Sequence, residues 1–146
     1  MKVLVVDDSP TMRRIVVQML KRLGYKNIVE ADHGKDALAR LKAEGNFELL
    51  LTDWNMPIMN GLELVQAVRA DPQLASLPIL MVTTRNMKQD IVAAMRAGVN
   101  NYVTKPFDPK TIKAKIDKVL SCSDLAVAIS CINTSIAPGL YGGYQE

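Results

Sequence analysis

A chain of 146 residues with 49% hydrophobic and 23% charged residues has the size and composition of one soluble globular domain. No apolar run approaches the ~18 residues that a membrane-spanning helix needs. The start, four apolar residues between Met1-Lys2 and Asp7-Asp8, is too short and too soon acidic for a secretion signal, so a cytoplasmic protein is expected. The net charge is +3, split as +5 over residues 1–120 and −2 over residues 121–146; no Lys/Arg block of the nucleic-acid type occurs.

Lys2–Val6 is almost wholly apolar and predicts a strand buried on both faces. Asp7-Asp8-Ser9-Pro10 ends it, with Ser9 as N-cap and Pro10 in the first position of a helix. Met12, Ile15, Val16, Met19, Leu20 and Leu23 follow at helical spacing, and Gly24 closes the helix. Asn27–Ala31 predicts a second strand, and Ala37, Leu38 and Leu41 a second helix ending near Gly45. A third strand is expected over Phe47–Thr52, followed by the loop-forming Asn55, Pro57, Asn60 and Gly61. Gly61–Ala70, Asn86–Ala97 and the stretch after Asp108-Pro109 predict three more helices, interleaved with strands at Ile79–Thr83 and Asn101–Thr104. Lys110, Lys113, Lys115 and Lys118 read as the solvated side of the last helix.

Five alternations of strand and helix argue for an α/β fold, a doubly wound five-stranded parallel sheet with five flanking helices. Functional residues in such folds gather beyond the carboxyl ends of the strands. Five chemically useful groups fall there: Asp7 and Asp8 after the first strand, Asp53 after the third, Thr83 at the end of the fourth and Lys105 after the fifth. Three carboxylates close together repel one another and call for positive charge. Lys105 supplies one charge. A hard divalent cation such as Mg²⁺, with positions left open for a phosphoryl group, would supply more. The plainer reading is an acidic cluster satisfied by helix N-termini and Lys105 alone.

VVDDS, DWNMP with Gly61 after it, LMVTT and YVTKPF resemble the receiver domain of bacterial response regulators, most closely its chemotaxis branch, over about residues 1–120. The resemblance implies the flavodoxin-like strand order 2-1-3-4-5 and a cis Lys105-Pro106 bond. It implies that Asp53 accepts a phosphoryl group from a sensor histidine kinase, with Lys105 and Thr83 completing the catalytic set. Mg²⁺ would be held by Asp8, Asp53 and the backbone carbonyl of Asn55, with Asp7 acting largely through water. The protein would not be an enzyme beyond catalysing its own phosphoryl transfer and slow autodephosphorylation. Phosphorylation would draw Thr83 inward and let Tyr102 turn in behind it, changing a surface that carries Lys88, Ile91, Tyr102, Thr104 and Lys115. An exposed Ile91 among lysines suits an amphipathic partner helix. In the chemotaxis branch that partner is the flagellar motor switch protein. A phosphatase is a further expected partner. A monomer is expected, with no nucleic-acid or membrane partner.

Arg85 stands two residues after Thr83, where the family often carries an acid, and Thr84 is larger than the small residue expected there. Both lie near the mouth of the expected site, where Arg85, with Asn55, would tune access of the hydrolytic water. Residues 121–146 form a second region: no Lys or Arg, both cysteines (Cys122 and Cys131), and Leu125, Ile129 and Ile132 at helical spacing. That strip could extend the last helix, pack on the output face, mediate dimerisation or be a disordered extension. Two thiols without His or Cys partners are not a metal site.

Other readings remain open from sequence. A phosphorelay intermediate passing its phosphoryl group to another histidine protein shares the acceptor chemistry. An aspartate-nucleophile phosphatase would carry Asp-x-Asp after the first strand, whereas Asp7 and Asp8 are adjacent. A flavodoxin-like cofactor binder would need a phosphate-cradling glycine loop there, and none follows. His33, the only histidine, follows the second strand, away from the acids, and is an unlikely base.

Overall fold

A computed structural model describes residues 1–121. The elements run β1 (Lys2–Val6), α1 (Pro10–Arg22), β2 (Asn27–Ala31), α2 (Gly34–Glu44), β3 (Leu49–Thr52), α3 (Gly61–Ala70), β4 (Ile79–Thr83), α4 (Lys88–Ala97), β5 (Asn101–Thr104) and α5 (Pro109–Ser121). All five strands are parallel, in the order β2-β1-β3-β4-β5. The expected architecture and strand order are therefore borne out.

The strand sequences explain the two-sided sheet. Successive side chains point to opposite faces. Val3 and Val5 of β1 join Leu49 and Leu51 of β3 and Leu80 and Val82 of β4 in one core, closed by Val16 and Leu20 of α1 and Ile112 and Ile116 of α5. Leu4, Val6, Leu50, Ile79 and Met81 form the opposite core with residues of α2, α3 and α4. Each fully buried Leu or Ile contributes roughly 1.5–3 kcal/mol of burial free energy. Both faces together hold the strand ends in place.

Caps fix where the helices begin. The Ser9 side chain accepts from the Met12 N–H, and Pro10 takes the first helical position. Asn60 and Glu63 form a reciprocal capping box on α3. Asp108 accepts from the Thr111 N–H at 2.7 Å. His33 caps α2, its Nδ1 accepting from the Asp36 N–H at 3.0 Å, which gives the lone histidine a structural task.

Some expectations are corrected. β3 begins at Leu49 rather than Phe47, and the Phe47 ring instead lies under the Lys2 ammonium at 4.3 Å. α4 begins at Lys88 rather than Asn86, with Met87 as its N-cap. Ile15 is 39% exposed, while Val17 turns into the core. The second region and its cysteines lie outside the described residues, apart from Ser121, the last residue of α5. No described helix is long and apolar enough to cross a membrane.

Candidate functional site

The order of strands reverses between β1 and β3, so a crevice opens at their carboxyl ends. The Asp53 N–H donates to the Val6 carbonyl at 3.0 Å, which sets the end of β3 beside the end of β1. One carboxylate oxygen from each of Asp7, Asp8 and Asp53 falls within 4.8 Å of the others. Residues distant in sequence thus make one acidic centre.

β5 brings the cation. The Lys105 N–H donates to the Thr83 carbonyl at 2.8 Å, so the residue leaves the sheet in register with β4. The following Lys105-Pro106 bond is cis, as expected. Lys105 Nζ donates to Asp7 Oδ2 at 2.8 Å and to Asp53 Oδ2 at 3.2 Å. These side chains are largely withdrawn from water, at 7% exposure for Lys105, 5% for Asp7 and 13% for Asp53. Burial opposes the lysine charge. The hydrogen bond to Asp7 and the charges of Asp53 and Asp7 outweigh it and hold the ammonium above its ordinary pKa.

The three acids are not equivalent. Asp7 is engaged on both oxygens, since Oδ1 accepts from the Ser9 N–H at 2.9 Å. Asp53 Oδ1 accepts from the Trp54 N–H at 2.6 Å. Asp8 is exposed and makes no hydrogen bond to another described side chain. The donor set is oxygen only, compact and open on the Asp8 side, which fits a hard divalent cation that keeps some of its waters. Asp7 and Asp53 both already hold Lys105, which leaves Asp8 the most available ligand.

Glycine shapes the entrance. A Cβ on Gly61 would collide with the Asp53 carbonyl, and the Gly61 N–H donates to the Trp54 carbonyl at 2.8 Å. The loop between them bends through Ile58, which has φ +68° and is 72% exposed. The Met59 N–H closes on the Pro57 carbonyl at 2.7 Å, a three-residue turn around Ile58.

Arg85 closes the other side of the mouth. Its Nε and Nη2 donate to Asn55 Oδ1 at 3.1 and 3.0 Å, its Nη1 lies 3.4 Å from Asp90, and its guanidinium sits 4.6 Å from the Trp54 ring centre. The sequence pointed to Arg85 near the mouth but not to this three-way hold. Long flexible side chains leave no periodic signal, and only the strand order brings these partners together. Thr84 is exposed in the same loop.

Thr83 is fully buried, and its hydroxyl accepts from the Arg85 N–H at 3.3 Å without a hydrogen bond to Asp53. Tyr102 was expected to turn inward only on phosphorylation. It is already 7% exposed, with its hydroxyl donating to the Arg85 carbonyl at 2.7 Å. Burial, then the nearby Asp90, push its pKa well above the ordinary tyrosine value, outweighing the opposing Arg85 charge.

The second expected surface is a groove of about 500 Å³ between α4, β5 and α5. Ile91, Tyr102, Thr104 and Lys115 line it, whereas Lys88 is exposed on α4 outside the lining. Ile91 is half-buried rather than exposed, because it packs on the core beneath α4. Lys115 also departs from the solvated lysine face expected for α5: it is half-buried, 3.4 Å from Asn101 Oδ1.

A parallel sheet in this order, ending in three acids of which Asp7 and Asp53 are bridged by one lysine, defines a receiver-type fold. Residues 3–117 match the response regulator receiver domain, and the chain belongs to that family. Within it, the chain is 52% identical over 124 residues to the chemotaxis protein CheY1 of Helicobacter pylori, covering 85% of this chain and 100% of that protein. It is 52% identical over 119 residues to the chemotaxis protein CheY of Pseudomonas aeruginosa, covering 82% and 95% respectively. The solved structure of the chemotaxis response regulator CheY4 of Vibrio cholerae matches with a TM-score of 0.75 at 37% identity, over 82% of this chain and 98% of that one. The likeness to the chemotaxis branch is borne out.

Proposed function

We propose that this protein is a phosphorylation-activated response regulator of chemotaxis, acting in the cytoplasm, whose phosphoacceptor is Asp53. A sensor histidine kinase presents a phosphohistidine. A carboxylate oxygen of Asp53 attacks phosphorus, the P–N bond breaks, and the imidazole leaves. Asp8, Asp53 and the Asn55 carbonyl would hold Mg²⁺, and Asp7 would take part through water. When bound, the ion neutralises charge on the transferring phosphoryl oxygens. Lys105 supplies the fixed positive charge on the same oxygens. Its ammonium stands between Asp7 and Asp53, so it needs only to shift from carboxylate to phosphoryl oxygen.

Thr83 donates its hydroxyl to the phosphoryl group after transfer. That movement alters the Thr83–Arg85 contact and, through the Arg85 carbonyl, Tyr102. The groove beside Tyr102 then changes its affinity for an amphipathic segment of the flagellar motor switch protein. A phosphatase would complete the cycle, with the protein acting as a monomer. The groove favours this binding role over a pure relay, which needs only the acceptor site.

The observation that carries this reading is the Lys105 bridge between Asp7 and Asp53 within the three-acid cluster. Trp54 neighbours Asp53 and reports on the test. Its fluorescence should respond to Mg²⁺ and then to acetyl phosphate, and the second response should vanish in Asp53→Asn. Silence to both additions would defeat the proposal.

A further inference from the structure

Four large apolar side chains stand exposed among the described residues: Met1, Ile15, Ile58 and Met87. Met1 precedes β1, and Ile15 lies within α1. The two most exposed, Ile58 at 72% and Met87 at 56%, lie in the loops that leave the carboxyl ends of the neighbouring strands β3 and β4. We propose that Ile58 and Met87 form an apolar rim on the Asp53 crevice that docks the phosphohistidine-bearing surface of the donor kinase, through apolar side chains beside that histidine. The inference rests on the phosphoacceptor reading and adds to it the residues that recognise the donor.

Both residues stand where local stability favours another side chain. Ile58 has φ +68° at the centre of a three-residue turn, a rare and strained conformation that a β-branched residue resists most. Met87 is the N-cap of α4 and makes no side-chain cap bond. Ser, Thr, Asp or Asn there would hold one of the unpaired N–H groups of the first turn. Each position breaks a local preference and leaves its side chain in water. Such breaches point to a task outside the fold itself.

The loop holds Ile58 outward. The Gly61 N–H closes its base on the Trp54 carbonyl at 2.8 Å, and the Met59 carbonyl accepts from the Gly34 N–H at 3.0 Å. Met56 and Met59, on either side of the tip, pack on the core. An apolar side chain already held in place has little freedom to lose on docking.

Position selects the occupant. Gly61 packs against the Asp53 carbonyl, and Ile58 precedes it by three residues, ~11 Å at full extension. Met87 follows Thr83 by four residues, ~14 Å at full extension. A transient interface of about 600 Å² per partner is a disc of ~14 Å radius. A protein that brings phosphorus to Asp53 therefore covers both rim residues, whereas acetyl phosphate enters without touching them. In the transfer an Asp53 oxygen bonds phosphorus, the histidine P–N bond breaks and the imidazole takes the electron pair. Neither rim residue takes part in that step, so the rim acts on the encounter.

The test uses the full chain and two donors. One is acetyl phosphate. The other is a purified chemotaxis histidine kinase, autophosphorylated with labelled ATP, from which the unsubstituted chain takes phosphate. Ile58→Gly relieves the turn and Met87→Ser supplies a cap, so both variants fold. Each should lower the second-order rate constant for transfer from the kinase about tenfold, with the acetyl phosphate rate unchanged. Ile58→Leu keeps the apolar bulk and should transfer at nearly the original rate. Unchanged kinase transfer in either Ile58→Gly or Met87→Ser, equal losses with both donors, or a loss in Ile58→Leu as large as in Ile58→Gly would each overturn the proposal. Failure of the unsubstituted chain to respond to acetyl phosphate would instead defeat the phosphoacceptor reading, so the two failures are distinguishable.

Discussion

The Tyr102 hydroxyl donates a 2.7 Å hydrogen bond to the backbone carbonyl of Arg85, tying the middle of β5 to the loop that closes the acidic crevice. The phenol is buried, so neither partner has water to fall back on. Tyr102→Phe keeps the ring packing and removes the bond. It should cost about 1 kcal/mol, read as a lower urea midpoint with an unchanged slope. An unchanged midpoint would mean that this bond does not hold the ring in place.

Arg85 offers a second test at the same loop. Its guanidinium bonds Asn55 and covers Trp54, which narrows the approach to Asp53. Arg85→Ala should open that approach and shorten the lifetime of the phosphorylated protein several-fold. The resting fluorescence of Trp54 should also change as the cation leaves its ring. Equal lifetimes in the two proteins would remove Arg85 from control of the hydrolytic water.

Lys105 makes a pH-dependent contribution of definite sign. Its folded pKa is raised, so the stabilisation is fully present below the unfolded value of about 10.4 and is lost as pH rises through the folded value. Unfolding free energy measured from pH 8 upward should hold until about pH 10 and then fall. In Lys105→Met that particular fall should be missing. The same variant should bind Mg²⁺ more tightly, because a competing cation has left the three acids, yet lose the response to acetyl phosphate. Weaker Mg²⁺ binding would contradict the bridge as described.

Ile58 pays a conformational cost without a packing return. A β-branched residue at φ +68° is strained, and its side chain is 72% exposed. Glycine has no Cβ to clash in such a turn. Ile58→Gly should therefore stabilise the protein by about 1 kcal/mol in urea unfolding. A loss of stability would show that the exposed isoleucine makes contacts that matter more than its backbone strain.

Much of this could be read from the chain because the signals are local and redundant. Runs such as Leu4–Val6 and Ile79–Val82 announce strands buried on both sides, and Ser9-Pro10, Asn60-Gly61 and Asp108-Pro109 announce helix starts. The strand-end positions of Asp7, Asp53, Thr83 and Lys105 follow from those boundaries alone. What stayed hidden depends on who is near whom. Arg69 is an example: its guanidinium donates to the carbonyls of Gly98, Ala75 and Leu77 and to Asn100 Oδ1, joining three loops, and no spacing rule marks it. The inward position of Tyr102 was missed because an alternating strand pattern does not reveal whether a hydroxyl has found a buried acceptor.

The Lys105 bridge also sets an order in the life of the chain. Asp7 leaves the ribosome early and Asp53 follows, but their cation arrives nearly a hundred residues after the first acid. Until β5 pairs with β4, a growing or truncated chain carries the acids without their counter-charge. Under the proposed function, competence to accept a phosphoryl group would appear only once β5 has paired with β4 and Lys105 is in place.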